Sequence, residues 1–357
     1  MTGRGIDQVL PYPSAPGLHE SYVESAVEYV ELAERANGPI SKPVDFPYIW
    51  GDAACELERV KPAVRIVNLE TSITTSEDFE CKGINYRMHP ANTPCLAAAK
   101  IDCCVLANNH VLDWGYAGLT ETLTTLHSAH IRTAGAGQNL PEAQEPAVIG
   151  LDDARVLVFA YGMSNSGVPC DWAATDTKPG VALLPDLSEI QVGNIAERVH
   201  AVKRQHDIAV LSIHWGPNWG YGIPERQRIF AHRLIDAAGI DIVHGHSSHH
   251  PKALEVYRDK PILYGCGDFV NDYEGILGYE EFRSHLVIVY FVTANPSTGS
   301  LLRLEMTPLE IKRFRLQRAK HQDAIWLRDA LNREGKRIGT EVMLKANDQL
   351  VLQWPQR

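Results

Sequence analysis

The stretch Ile240–Pro251, IDIVHGHSSHHP, constrains this chain more than any other. Its apolar, β-branched start suits a buried strand, and the run stops at His244, His246, His249 and His250. A strand ending in a Gly-His turn delivers imidazoles to the carboxyl edge of a sheet, where open α/β folds place their ligands. Two upstream stretches end the same way: Val105–Gly115 (VLANNHVLDWG) and Ile208–Trp215 (IAVLSIHW). A further strand, RIVNLE, closes on Glu70. Asn, Asp, Glu and His are the side chains that hold or assist a metal, so these strand ends predict one converging site.

The pattern between them is that of an α/β fold. Helical spacing of apolar residues marks 21–36, 116–127, 191–204 and 225–238, with a shorter helix near Ala53–Arg59 and another at 92–99. Strands are expected at 64–67, 102–107, 155–162 and 207–213. Beyond the histidine run, strands near 253–257, 261–265, 285–292 and 301–306 follow one another without helices and read as antiparallel. A helix at 319–333 and a strand at 349–353 come last. The glycine- and proline-rich opening reads as a loop, as does Gly83–Pro90, and Met163–Gly180 reads as a rim or lid. Early alternation and late antiparallel strands predict mixed sheets in an α/β layer fold. The expected division is residues 1–310 as the main domain, with 311–357 as a C-terminal helix and strand packed on it.

A two-metal hydrolytic site needs hard oxygen ligands plus imidazoles, with a carboxylate between the ions. Glu70 suits the bridging position; Asn109, His214 and His246 would complete one ion and His249 the other. The spacing of GHSSHH leaves open whether His249 or His250 is the inner ligand. His110 sits better as a proton donor, with Asp113 three residues on either fixing its tautomer and raising its pKa or capping the next helix. Arg87 and Arg4 suit an anionic group of the substrate. Trp215, Trp219 and Tyr221 suit pocket walls, and Lys82 and Arg226 suit outlying cations.

The blocks NLE (68–70), ANNHVLDWG (107–115), HWG (214–216), GHSSHHP (245–251) and YGCGDF (264–269) are similar, in order and spacing, to those of the CapA family. These are poly-γ-glutamate capsule-synthesis proteins within the calcineurin-like metallophosphoesterase superfamily. The resemblance implies a four-layer α/β/β/α sandwich and two divalent ions (Mn, Fe, Zn or Ca). It carries ligand roles onto Glu70, Asn109, His214, His246 and His249, and the acid role onto His110. It favours His249 over His250, and it places Asp268 where the family usually has Asn. The family also begins with an apolar strand ending in Gly-Asp, ahead of the position where MTGRGID starts here. The expectation is that Met1 is an internal methionine; otherwise the first strand and its metal-binding aspartate are lost and a single ion remains. The implied chemistry is phosphoester hydrolysis linked to capsule biosynthesis. Two alternatives stay open: metal-assisted epimerisation of a peptide or amino-acid derivative, and a non-catalytic capsule-assembly subunit.

The net charge of −10 argues against a nucleic-acid partner. It leaves an anionic small molecule or peptide-like substrate, and other capsule-synthesis proteins, as expected partners. No apolar run reaches membrane-spanning length. Seven cysteines without CxxC spacing read as reduced core residues, and the chain as cytoplasmic.

Overall fold

The computed structural model describes residues 1–355; the last two residues of the expected C-terminal segment lie outside the described residues. Period-2 burial along the strand Arg155–Gly162 sets the architecture. Val156, Val158 and Ala160 face one core, while Leu157, Phe159 and Tyr161 face another. Such a strand is covered on both sides, which is why it reads as continuously apolar. It lies in a six-stranded mixed sheet ordered Leu254–Tyr257, Lys260–Leu263, Ile242–His246, Ile208–His214, Arg155–Gly162 and Ala147–Gly150. Its four central strands are parallel and the two edge strands antiparallel.

One face of this sheet packs on the helices Glu189–Val202 and Glu225–Ala238. The other meets a three-stranded parallel sheet of Ile66–Asn68, Cys103–Val105 and Arg132–Ala134, through small and β-branched residues including Cys103, Val105, Ala134 and Val210. The opposite face of the smaller sheet supplies Cys104 and Leu106 to a third core, with Leu119, Leu123 and Leu126 of the helix Gly115–Ser128. Near the site the two sheets approach closely. A Cβ at Gly162 would meet the Ala107 carbonyl oxygen at 2.8 Å, and one at Gly135 would meet the Ala107 and Ala160 Cβ atoms at 2.6 and 2.8 Å.

A separate antiparallel sheet contains Leu286–Ala294, Leu301–Lys312, Leu350–Gln353 and Glu341–Leu344, with Arg315–Arg318 paired to the long second strand. That long strand crosses the expected boundary at residue 310. The helix His321–Gly335 covers the sheet with Leu327 and Leu331.

Several expectations need correction. The N-terminal loop contains a short buried helix, Gly5–Val9, whose Asp7 accepts from Ser14 N–H and His89 N–H at 2.7 and 2.9 Å. Lys260–Leu263 is antiparallel to its hairpin partner but parallel to the histidine strand, so it belongs to the central sheet. Arg87–Met88 pairs in parallel with Ser72–Ile73 instead of remaining loop. The strand Glu341–Leu344 was not legible. Among the described residues, no helix is long and apolar enough to cross a membrane.

Candidate metal centre

Parallel register places the histidines together. His214 and His246 occupy matched positions at the ends of adjacent strands, both buried, with their Nδ1 atoms 2.7 Å apart. Glu70, two residues past its own strand, brings a carboxylate oxygen to 3.9 Å from His214 Nδ1. One donor atom from each of Glu70, His214 and His246 lies within 4.8 Å of the others. Burial holds the two imidazoles well below their ordinary pKa, aided for His214 by neighbouring His110 and for His246 by His214. Burial raises the Glu70 pKa to about 7, with Asp268 adding to the shift and His249 opposing it.

Hydrogen bonds orient each of these groups. The Ser212 hydroxyl bridges His244 Nδ1 at 3.0 Å and His246 Nε2 at 2.8 Å, leaving His246 Nδ1 to face His214. Asn68 donates its amide to Glu70 at 2.6 Å and receives one from Asn108 at 3.0 Å. Asn109 meets the other nitrogen of His214, Nε2, at 3.1 Å. Below His214 the chain is pinned by Ser166, whose hydroxyl donates to the His214 carbonyl at 2.8 Å, so this end of the Met163–Gly180 segment is anchored instead of free.

His249 forms a second group. The chain turns through Ser247, at φ 111°, whose hydroxyl donates to the Gly216 carbonyl at 2.9 Å. His249 Nδ1 then lies 2.9 Å from Asp268, which also accepts from the Asn271 amide at 2.8 Å. Burial opposes protonation of His249, but Asp268 and Glu70 outweigh it and its pKa stands above the ordinary value. His250 faces elsewhere, fully buried among Trp219, Tyr221 and Phe282.

His110 and Asp113 form a dyad, Nδ1 to carboxylate, at 2.7 Å. Asp113 also accepts from the Tyr86 N–H at 2.6 Å and pairs with Lys82 at 2.7 Å. It is a partner of His110 and not a helix cap; the helix Gly115–Ser128 carries no side-chain cap bond. The expected upward shift of His110 is reversed. Burial lowers its pKa to about 4, Asp113 countering and Lys82 reinforcing. Lys82 touches the Asn109 carbonyl as well and lies 3.3 Å from His110 Nδ1. Two tyrosines missed from sequence wall this side: Tyr86 packs edge-on to His110 at 4.6 Å, Tyr273 on His249 at 5.4 Å, and their hydroxyls are 2.9 Å apart.

The expected substrate contacts divide. Trp219 flanks His249 at 5.3 Å between ring centres, whereas Tyr221 reaches only the His250 group. Trp215 is buried on the far face, donating to the Tyr264 carbonyl at 3.0 Å, and is no pocket wall. The guanidinium of Arg87 lies over Trp114 and donates to Ser76, Glu77 and Ala15, away from the histidines. Arg4 is buried and bonded to Asp272, Glu20 and Tyr29, so it is a structural hub. Arg226 is exposed.

A family model described as bacterial capsule synthesis protein PGA_cap matches residues 1–273. The chain is 48% identical over 353 residues to a probable polyglutamine synthesis accessory protein of Mycobacterium tuberculosis, covering 98% of this chain and 93% of that one. It is 29% identical over 248 residues to the PGA biosynthesis protein CapA of Bacillus subtilis, covering 68% and 60% of the two chains. With the capsule biosynthesis protein CapA of Bacillus anthracis the identity is 27% over 208 residues, covering 58% and 47%. A family match over most of the chain, running through each of the strand ends assembled above, leads to one conclusion: the protein belongs to the bacterial capsule synthesis family PGA_cap.

Proposed function

We propose that this chain is a CapA-like, metal-dependent hydrolase of the phosphoesterase type, working in poly-γ-glutamate or capsule synthesis. The observation that carries the reading is the meeting of Glu70, His214 and His246, delivered by two different sheets into a buried space with donor atoms within 4.8 Å. The donor chemistry fits a cation. Two imidazoles kept neutral by burial bring nitrogens to 2.7 Å, and a carboxylate stands beside them. Mixed N/O donors of this kind suit Zn, Mn or Fe, while Ca prefers a shell of six to eight oxygens.

Glu70, His214 and His246, with Asn109 beside His214, would hold one ion. His249 and Asp268, with Glu70 shared, would hold a second. When bound, such ions add acidity to water and offset negative charge on a phosphoryl oxygen. The chain's own part is proton handling and orientation. With Nδ1–H directed at Asp113, His110 keeps Nε2 for exchanging a proton with the reacting group. Lys82 fixes Asp113 from the other side. Trp219, beside His249, is the aromatic side chain that an anionic small molecule or peptide-like substrate would meet there.

Two broader expectations fit the same reading. Helices, small sheet, apolar seam, large sheet and helices follow in sequence, which supports a four-layer α/β/β/α sandwich. All seven cysteines are free, in keeping with a reducing, cytoplasmic setting, although only Cys95, Cys103 and Cys104 are the expected core residues and Cys55, Cys81 and Cys170 are exposed.

The test is elemental analysis of protein purified without chelator, joined to phosphate release from an aryl phosphate by wild type and His246→Ala. Bound transition metal, and turnover lost in the variant, support the reading. Absence of metal in wild type, or equal turnover in both proteins, would overturn it. The His110–Asp113 dyad at 2.7 Å also suits a second reading in which a proton is exchanged at carbon, as in epimerisation of a peptide or amino-acid derivative. Deuterium wash-in from heavy water without phosphate release would select that chemistry.

A further inference from the structure

A cavity of about 390 Å³ opens between the segment after Asn271 and the C-terminal sheet, separate from the histidine centre. Its wall includes Tyr273, Ser284, His285, Glu310, Lys320 and Asp323. Tyr273 stands between the two spaces, lining this cavity while its ring packs on His249 at 5.4 Å. The volume lies in the range of small-molecule sites.

The charges around it are of both signs and only partly paired. One oxygen of Glu310 takes the Lys312 ammonium at 2.6 Å and one of Asp323 takes the Arg283 guanidinium at 2.9 Å, leaving the second oxygen of each carboxylate open. Glu274, at the back, is already saturated by the Arg313 and Phe314 N–H groups at 2.7 and 2.6 Å. The exposed Lys320 ammonium and His285 ring and the half-buried Ser284 hydroxyl line the same space, with Lys312 beside Glu310. A purely anionic ligand would meet Glu310 and Asp323; a purely cationic one would meet Lys320. A ligand carrying a carboxylate and an ammonium on neighbouring atoms satisfies both sides at once.

We propose that this cavity binds an α-amino acid head group, with Lys320, Ser284 and His285 taking the carboxylate and Glu310 and Asp323 the ammonium. The head group belongs either to a free amino acid or to the end of a peptide-like chain. L-glutamate, which carries both groups on one carbon, is the first probe, while the site itself stands apart from the hydrolase reading.

Isothermal titration of the full chain with L-glutamate tests this. Wild type is expected to bind, and both Lys320→Ala and Asp323→Asn to weaken binding about tenfold or more. Glutarate, which lacks the ammonium, and L-alaninamide, which lacks the carboxylate, are expected to bind about tenfold more weakly than L-glutamate. A γ-glutamyl-glutamate dipeptide distinguishes the sources: tighter binding than the monomer assigns a chain end, weaker binding a free amino acid, and both support the site. His246→Ala, which breaks the histidine centre at a side chain whose contacts are His214, Ser212 and His244, is expected to retain binding. Loss of binding in His246→Ala would move the ligand into that centre and overturn the proposal. No binding of L-glutamate to wild type, or equal binding by wild type, Lys320→Ala and Asp323→Asn, would overturn it as well. Both replaced side chains lie at the surface or half-buried, and circular dichroism of each variant verifies its fold.

Discussion

The two ends of the candidate centre solve opposite problems with the same residue type. At one end His214 and His246 face each other, buried and neutral, with Glu70 as their nearest carboxylate. At the other, His249 is buried too, yet Asp268 at 2.9 Å favours its charged form. Desolvation is common to both; only the second end has an anion close enough to win. On the proposed reading the first end offers two neutral imidazoles to a cation, while the second already carries its own internal pair. A metal would displace a proton at either end, from Glu70 at the first and from His249 at the second, so affinity is expected to rise with pH at both.

The comparison breaks most readily at the neutral end. His246→Ala is expected to lower metal retention by more than about 100-fold, beyond what loss of an outer partner costs; equilibrium dialysis against Mn or Zn measures it. Next comes His244, whose pKa burial lowers from 6.5 to about 4. The unfolded chain takes up this proton as pH falls through 6.5, while the folded one resists until about 4. Its contribution to stability is therefore full above the unfolded pKa and is lost on acidification. His244→Gln should remove about 2–3 kcal/mol of that loss between about pH 7 and about pH 4, read by urea unfolding of both proteins.

Ser212→Ala frees His246 Nε2 and is expected to weaken metal binding about tenfold without touching a ligand, again by dialysis. The smallest effect sharpens the charged end. Asp268→Asn removes the larger anionic influence and leaves only Glu70 against burial, so the His249 pKa should fall by about one unit or more. An NMR titration in metal-free buffer that found it unmoved would show that the pair is not what sets it.

Much of the frame was legible because it depends on local pattern. Arg155–Gly162 and Glu225–Ala238 follow directly from alternation and helical spacing, and strand ends located Glu70, His214 and His246. Ser212 was not legible: nothing in IAVLSIHW marks the serine two residues before His214 as the one that orients His246, since its partners come from the neighbouring strand. Tyr86, Tyr273 and the role of Asp268 likewise rest on contacts distant in sequence. Two expectations ignored a rule already available. Adjacent residues of an extended chain point to opposite sides, so a His214 that faces the centre sends Trp215 away, and a Tyr86 on His110 does the same to Arg87.

The close seam at Gly135 and Gly162 bears on how such a centre can be tuned. Glu70 and Asn109 ride on one sheet, His214 and His246 on the other, and the close approach of the two holders needs the absence of a methyl group at Gly135 as well as at Gly162. Adding that methyl would spread the holders apart while leaving every liganding side chain intact. On the proposed metal reading, selectivity between ions of different radius is then expected to respond to a position outside the liganding set.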